Sequence, residues 1–125
     1  MPGATLDTGA LVAIERASRR MQALLDEAAA AGWAFAVPAG VLGQAWRGSP
    51  RQARLARFLR LSSVRVISLD ERAARAAGAL CGRSGTDDVV DASVVVCARL
   101  HDHVVVTSDS RDLAHLDPSL PLVQL

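Results

Sequence analysis

The sequence has 125 residues but contains no lysine and no tyrosine, and all 14 of its basic residues are arginine. The absence of lysine excludes P-loop phosphate binding and Schiff-base catalysis, because both depend on a lysine amine. It also argues against a phosphoaspartyl enzyme or a receiver domain, since both commonly use a lysine against the phosphoryl charge. The segment Leu6–Gly9 would otherwise favour that class, with Asp7 as the nucleophile.

Cysteines and long apolar runs are also scarce. The two cysteines, Cys81 and Cys97, are 16 residues apart and belong to no metal-binding motif, so we interpret them as buried thiols in a reducing compartment. No secretory signal is evident, and the longest uncharged run, Ala28–Trp46, contains three glycines, a proline and a glutamine. Such a run is a poor membrane span. The sequence therefore predicts a soluble, cytoplasmic protein without a membrane partner.

The abundant residues are small and aliphatic. The chain has 23 alanines, 16 leucines and 14 valines against four aromatic residues, and 50% of its residues are hydrophobic. This composition excludes disorder as the dominant state, and we expect a single domain over residues 1–125. Residues 1–60 hold eight arginines and four acids, whereas residues 61–125 hold six arginines and nine acids. A cation site beside an anion-binding surface is compatible with this asymmetry.

Helical and strand-like patterns alternate along the chain. Short apolar or β-branched segments predict strands at Ala4–Leu6, Trp33–Val37, Val64–Ile67, Val104–Thr107 and Leu122–Val123. Helices are predicted between them, including one that opens at Pro38, one over Arg51–Leu61, one that Ser68 or Asp70 caps and that runs to about Cys81, and one from Val89 to about Leu100. A loop is predicted at Gly82–Gly85. This alternation favours an α/β fold with a parallel sheet and helices on its faces.

Four aspartates are predicted to meet at one edge of this sheet. Asp7 and Asp109 each follow a predicted strand, Asp112 lies one helical turn after Asp109, and Asp91 interrupts a valine-rich stretch at the start of a helix. In an open parallel sheet, ligands bind at the carboxyl ends of the strands. Converging carboxylates repel one another unless cations lie between them, and oxygen-only ligands suit Mg²⁺ or Mn²⁺. Such ions activate water for attack on phosphorus, so the predicted reaction is phosphodiester hydrolysis.

Each of these aspartates also has a purely structural explanation, as a helix N-cap, a turn residue or a charge at the positive end of a helix. Asp87 and Asp88, which precede the helix that carries Asp91, are expected to be N-caps outright. The structural explanations stay open for single residues. They account less well for four acids at one edge of a sheet.

The same residues resemble a known family. They are similar to the motifs of PIN domains, and most closely to the short VapC-type toxin ribonucleases of bacterial toxin–antitoxin pairs. The resemblance covers essentially the whole chain, in order and at the family's spacing. The segments that carry it are Leu6–Leu11, Val37–Pro38, Val41–Leu42, Ala45–Arg47, Asp88–Ala92, Val105–Asp109 and Asp112–Leu113.

The resemblance implies a three-layer α/β/α sandwich and a metal-dependent endoribonuclease. It implies that Mg²⁺ or Mn²⁺ is held by the four aspartates, with Asp7, Asp91 and Asp109 as catalytic acids and Asp112 as a further ligand. Hydroxyl groups are expected to support these carboxylates, and they belong to Thr8, Thr107 and Ser108. The implied partners are an RNA substrate and an antitoxin protein that blocks the site, and a homodimer is compatible with both.

One residue departs from the family pattern. The family usually has a glutamate in the helix after the second strand, and here the matching position is Gln44. An amide oxygen can coordinate a cation, but it brings no negative charge and cannot act as a base. The sequence therefore allows two hypotheses: an attenuated or altered nuclease, or a weak or inactive PIN-like module that binds RNA or a protein.

A series of arginines is the second candidate site. Arg47, Arg51, Arg54, Arg57 and Arg60 are spaced so that neighbours lie near one face of a helix. We interpret Arg47, Arg51 and Arg54 as an RNA-binding track, with a solvated face or an acidic partner as the alternatives. Trp46 is the aromatic residue nearest to the departing position, although core packing explains it better than stacking on a base. His101 and His103 are expected to be surface or packing residues, since no third zinc ligand is evident.

Overall fold

The computed structural model describes residues 2–125, which contain five strands in one sheet. The strands are β1 (Gly3–Leu6), β2 (Ala34–Pro38), β3 (Val64–Ile67), β4 (Val104–Thr107) and β5 (Leu122–Gln124). Their order across the sheet is β3–β2–β1–β4–β5, and all neighbouring strands are parallel. The predicted α/β fold with a central parallel sheet is confirmed.

Helices cover both faces of this sheet. The chain runs outward from β1 to β3 and then returns to β4 beside β1, so right-handed crossovers place the first four helices on one face and the last three on the other. The predicted three-layer sandwich is therefore confirmed. The helices are α1 (Thr8–Glu15), α2 (Arg19–Ala30), α3 (Ala39–Ala45), α4 (Ala53–Leu59), α5 (Glu71–Ser84), α6 (Val89–His101) and α7 (Ser110–Leu116).

The core lies on both sides of the three central strands. Leu6, Val37 and Val105 from these strands are fully buried, and so are Leu11 of α1 and Val94 of α6. Strands that are covered on both faces have no solvent side, which explains why they consist of apolar runs rather than alternating residues. Both cysteines are free and buried, as predicted. Within residues 2–125, no helix is long and apolar enough to cross a membrane.

The centre of the sheet creates the edge at which the acids meet. Leu6 of β1 pairs in register with Val106 of β4, so the two strands end side by side. Asp7 follows at once, and its backbone N–H donates to the Val106 carbonyl at 3.2 Å. Both strands lead almost directly into helices, because α1 starts at Thr8 and α7 at Ser110. The N-termini of α1 and α7 therefore lie next to each other.

Three predicted boundaries are wrong. Pro38 is not the first helical residue: its extended backbone ends β2, where it pairs with Ile67, and it is the N-cap of α3. Most of Gly82–Gly85 is not a loop, because α5 continues to Ser84 and only Gly85, in a left-handed conformation at φ 70°, ends it. The helix expected over residues 51–61 is divided into a 3₁₀ turn at Pro50–Gln52 and the shorter α4.

A buried amide fixes the segment between α3 and α4. The side chain of Gln52 is only 4% exposed and makes four hydrogen bonds. Its amide nitrogen donates to Glu15 at 2.6 Å and to the Ala45 carbonyl at 2.7 Å. Its oxygen accepts from the backbone N–H groups of Arg47 at 2.8 Å and Gly48 at 3.1 Å. This clamp fixes where α3 ends, and therefore where the side chains near its end are placed.

Candidate active site

Four aspartates come together at the carboxyl edge of β1 and β4, as the sequence predicts. Asp7 is the N-cap of α1, and Asp109 is the N-cap of α7. Asp91 and Asp112 lie in the first turns of α6 and α7. Three helix N-termini therefore point toward one group of carboxylates, and their dipoles favour negative charge there.

Asp7 is the most buried of these acids, with 6% of its surface exposed. Burial raises the pKa of Asp7 above its usual value, although hydrogen bonds from the Thr107 side chain, the Ala10 N–H and the Ser108 N–H act in the opposite direction. The bond from Ala10 measures 2.9 Å. The charge of Asp109 raises the pKa of Asp7 further. Asp7 is thus a helix cap and a member of the cluster at once, so its two explanations are not alternatives.

Asp91 shows most clearly how strongly the acids repel one another. Burial is the largest cause that raises its pKa to about 7, and the negative charges of neighbouring aspartates add to the shift. The neighbours that act on it are, in decreasing order, Asp88, Asp112, Asp109 and Asp7.

Asp109 and Asp112 form a pair at the exposed side of the cluster. A hydrogen bond between their side chains raises the pKa of Asp112, because two carboxylates can form such a bond only when they share a proton. The Asp109 N–H donates to the Thr107 hydroxyl oxygen at 2.7 Å. Thr107 therefore contacts both Asp7 and Asp109, which agrees with the supporting role predicted for it.

No basic side chain of residues 2–125 forms an ion pair with the cluster. The ion pairs in this part of the chain are Arg75–Glu71 and Arg99–Asp117, and both use other acids. Nor are any three His, Cys, Asp or Glu side chains of residues 2–125 grouped closely enough to hold a metal ion as they stand. Binding would thus require rotation of these carboxylates. Their oxygen-only donor set nevertheless fits Mg²⁺ or Mn²⁺, and an unpaired negative charge favours either ion.

Gln44 is also next to the cluster. The Thr8 hydroxyl, one residue after Asp7, donates to the Gln44 side-chain oxygen at 2.6 Å. The helix that carries Gln44 approaches α6 closely, since a Cβ atom added at Gly40 would lie 3.4 Å from Val90, the neighbour of Asp91. The structure therefore brings both Thr8 and Gln44 to the site. Neither side chain replaces the missing negative charge.

The turn after β4 approaches α1 so closely that only glycine fits. A Cβ atom at Gly9 would lie 2.7 Å from the Ser108 Cβ and would overlap the Ser108 hydroxyl. Ser108 supports Asp7 through its backbone N–H rather than through the hydroxyl that the sequence suggested. Gly9 thereby allows the N-terminus of α1 to lie against the turn that carries Asp109.

Asp88 belongs to the acidic cluster, a role that the sequence-based prediction did not include. Its side-chain oxygen accepts from the Asp91 N–H at 3.0 Å, so it is the N-cap that was predicted. Its charge is also the strongest of those that raise the pKa of Asp91, and it raises the pKa of Asp112 as well. The signal that could have revealed it was its i, i+3 spacing to Asp91, which places both carboxylates on one side of α6. Asp87, the other expected cap, contributes a carbonyl to the turn rather than its side chain.

The arginines do not form one helical face. Arg47 lies outside any helix, and its guanidinium donates to the carbonyls of Gly43 at 3.3 Å and Trp46 at 2.8 Å. Arg51 is in the 3₁₀ turn, and Arg54 lies on α4. Arg54 lines a groove against α2 together with Arg57. The helical face predicted for these arginines is wrong because the turn at Pro50 separates them.

The fold and the site define an α/β/α protein whose central parallel sheet carries an acidic cluster at its carboxyl edge. The model of the PIN domain family matches residues 4–117 of the chain. This match spans most of the sequence and includes every aspartate of the cluster. The chain belongs to the PIN domain family, and the predicted family resemblance is confirmed.

Several solved structures have a similar fold. A toxin–antitoxin complex from Klebsiella pneumoniae matches with a TM-score of 0.72 and 20% identity, covering 98% of this chain and 97% of the other. VapBC2 from Rickettsia felis, bound to a DNA fragment from its promoter, matches with a TM-score of 0.72 and 20% identity over 99% and 98%. DNA-bound VapBC from Salmonella typhimurium has a TM-score of 0.71 and 18% identity over 99% and 98%. No curated protein sequence matches the chain. These similarities show that the chain has the same fold as these proteins.

Proposed function

We propose that this chain is a metal-dependent endoribonuclease of the VapC type, the toxin of a toxin–antitoxin pair, which hydrolyses RNA phosphodiester bonds with Mg²⁺ or Mn²⁺. The observation that carries the proposal is the group of aspartates at the carboxyl edge of β1 and β4, where burial and four neighbouring aspartates raise the pKa of Asp91. Carboxylates at the substrate-binding edge of a PIN sheet, without an arginine against them, provide a site for divalent cations. Such cations activate a water molecule and polarise a phosphoryl oxygen when bound.

The roles of the side chains follow from their positions. Asp7, Asp91 and Asp109 hold the catalytic metal, with Asp112 as a ligand on the exposed side. The Thr107 hydroxyl orients the Asp7 carboxylate and accepts from the Asp109 backbone N–H, and the Ser108 backbone N–H also orients Asp7. The helix N-termini behind Asp7 and Asp109 stabilise the deprotonated forms that bind metal. The protein supplies charge and orientation at this edge, and the RNA supplies the phosphorus atom that is attacked.

The direct experiment compares cleavage of a mixed-sequence RNA by the wild type and by Asp91→Asn, in Mg²⁺ and in EDTA. We expect cleavage by the wild type in Mg²⁺ only, and none by the variant, which has the same shape without the charge. Asp26→Asn is the matched control, because Asp26 lies on the exposed side of α2. Full activity of Asp91→Asn would contradict the site assignment.

A second function is supported by Gln44. A PIN-like module that binds RNA or a protein without efficient cleavage is the alternative, because the glutamate typical of the family is absent at this position. Gln44→Glu distinguishes the two. Tighter Mn²⁺ binding with faster cleavage indicates an attenuated nuclease, whereas tighter binding with no cleavage in either form indicates the module. Unchanged Mn²⁺ affinity would place Gln44 outside the metal site.

The proposal includes an antitoxin that binds to the α2 side of the molecule. An apolar groove of about 320 Å³ lies between α2 and the sheet, lined by residues that include Met21, Leu24 and Trp33. A second groove, of about 440 Å³, continues from it to Arg54 and Arg57. An amphipathic segment with an acidic residue would fit both. Coexpression with the product of the neighbouring reading frame tests this, and Leu24→Glu should prevent copurification.

A homodimer is the remaining partner that we propose. Trp46 is 41% exposed and Leu100 is 76% exposed, and they line two shallow depressions that share Ala39. Large exposed apolar side chains on one surface are typical of subunit interfaces. Sedimentation of the wild type and of Leu100→Glu checks this, with a dimer expected for the first and a monomer for the second.

We place the protein in the cytoplasm, where RNA and antitoxin are both accessible.

A further inference from the structure

The hydrogen bond between Thr8 and Gln44 decides which group of Gln44 faces the site. The two oxygen atoms are 2.6 Å apart, a distance that is usual for O–H···O bonds and short for bonds from an amide nitrogen. The Thr8 hydroxyl therefore donates, and the Gln44 side-chain oxygen accepts. One of the two lone pairs of this oxygen therefore accepts from Thr8.

The amide nitrogen of Gln44 is left as the free group. Within residues 2–125, its two N–H donors have no hydrogen-bond partner, and the side chain is exposed. Gln52, eight residues along the chain, shows the opposite state, because all of its donors and acceptors are bonded to the protein. The Gln44 amide thus keeps two unused donors at the surface of the site.

These donors lie at the margin of the acidic cluster. Thr8, which holds the Gln44 oxygen, directly follows Asp7 in the chain. Gly40 is one helical turn before Gln44 on the same face of α3, and this face contacts Val90, next to Asp91. Gln44 is therefore placed between the segments that carry the most buried acid and the acid with the most strongly raised pKa.

The charges around Gln44 determine what it can bind. A phosphate group that approaches the cluster brings negative charge to a region that already has an excess of it. A bound cation offsets part of this charge, and phosphate oxygens also require donors. Arg47 is directed to the carbonyl groups at the end of α3, where it binds Gly43 and Trp46. An amide is a donor that adds no charge, whereas a glutamate at this position would repel the phosphate.

We propose that Gln44 binds the substrate rather than the metal, and that its side-chain N–H donates to a non-bridging oxygen of the RNA phosphate held at the carboxylate cluster. This inference rests on the proposed function, because it requires a phosphodiester at that edge of the sheet. Thr8 is then a positioning residue, which keeps the amide turned so that its nitrogen faces outward.

Two variants of Gln44 separate substrate binding from metal binding. Gln44→Met removes the donors and keeps the length of the side chain, and Gln44→Glu replaces them with a charge. Gln22→Met is the matched control, because Gln22 lies on the exposed side of α2 and its amide donates to Asp26 at 2.9 Å. Thermal unfolding of each variant shows that the fold is kept. Affinity for a labelled, mixed-sequence single-stranded RNA is measured in Ca²⁺ at several salt concentrations, and Mn²⁺ affinity is measured by calorimetry.

We expect Gln44→Met to weaken RNA binding about tenfold, the effect of one hydrogen bond to a charged group. The salt dependence should stay unchanged, because no charge is lost. Its Mn²⁺ affinity should equal that of the wild type. Gln44→Glu should bind RNA more weakly and Mn²⁺ more tightly.

Two results would overturn the inference. One is an RNA affinity of Gln44→Met that equals that of Gln22→Met. The other is a loss of Mn²⁺ affinity in Gln44→Met as large as in Asp91→Asn, which would make Gln44 a metal ligand. If the wild type binds no RNA, the proposed function fails together with this inference. If the wild type binds and cleaves RNA and Gln44→Met does so equally well, only the inference fails.

Discussion

Asp7 and Asp117 expose similarly small fractions of their surfaces, 6% and 7%, yet their pKa values shift in opposite directions, in part because Asp7 is more strongly desolvated. Hydrogen bonds from Ser119 are the main reason that the pKa of Asp117 is lowered, and Arg99 contributes through a hydrogen bond of 2.9 Å and its charge. Asp7 also accepts hydrogen bonds, but burial outweighs them and its charged neighbour is another acid. The same fold thus neutralises one buried carboxylate and leaves a second one without a cation. Negative charge at the carboxyl edge is therefore a feature of that edge and not of buried acids in this protein generally.

The largest change in stability is expected at the neutralised acid. Asp117→Asn removes the charge that Arg99 and Ser119 stabilise, and should lower the free energy of unfolding by about 2 kcal/mol. Arg99 stays half exposed and solvated, which limits the loss. Urea unfolding at neutral pH measures it. The pKa of Asp117 is lowered in the folded state, so its contribution is present above pH 3.8 and is lost as the pH falls below that value. If Asp117→Asn is as stable as the wild type, Arg99 and Ser119 do not stabilise the charge of Asp117, and the contrast with Asp7 fails.

The second effect perturbs the acidic edge without removing a charge. Gly9→Ala places a methyl group against Ser108 and should cost about 2 kcal/mol, as overpacking usually does. The turn that carries Asp109 should move with Ser108, so Mn²⁺ affinity should fall as well. Ser108→Gly removes the obstructing atoms, and the double variant should regain both properties. If the double variant regains neither stability nor Mn²⁺ affinity, the contact between Gly9 and Ser108 does not position Asp109.

The sequence could predict the acidic edge because Asp7 and Asp109 follow the ends of apolar strands and Asp91 interrupts a valine-rich stretch at the start of a helix. The bounds of β3 and β4 were predicted to the residue for the same reason, since β-branched runs end abruptly in polar residues. Pro38 could not be placed, because the proline ring fixes only φ, at a value that suits a strand end and a helix start, whereas its ψ of 138° is extended. The second role of Asp88 was concealed because a helix cap explains the same pattern, although its i, i+3 spacing to Asp91 was a signal for it. The partner of Gln44 depends on contacts between α1 and α3, which no local pattern encodes.

A smaller effect of opposite sign is expected within the cluster. In metal-free protein, Asp91→Asn should raise the free energy of unfolding by about 1 kcal/mol at pH 8, a value reduced for the solvent that screens this half-buried group. The pKa of Asp91 is raised to about 7 in the folded state, so the wild type loses stability as the pH rises from 3.8 through 7. The gain from the substitution should therefore shrink as the pH is lowered to 4. Unfolding curves in EDTA across this range check the sign, and a destabilised variant at pH 8 would contradict it.

The smallest effect on stability is expected for the exposed arginines, whose contribution is to binding. Arg51→Ala together with Arg54→Ala should leave the unfolding free energy unchanged and weaken RNA binding. The slope of log affinity against log salt should decrease by roughly one unit for each lost phosphate contact. Fluorescence anisotropy at several salt concentrations measures the slope. An unchanged slope would mean that these arginines are solvated or bind the antitoxin.

The clamp formed by Gln52 has a consequence for how this chain can vary. The side chain at position 52 must donate two hydrogen bonds from its nitrogen and accept two at its oxygen, on opposite sides of one amide group. Glutamate lacks the donors, lysine lacks the acceptors, and asparagine is one methylene too short to reach both. Among related chains that keep this connection between α3 and α4, position 52 should therefore accept no other residue. The length of that connection and the identity of residue 52 should change only together.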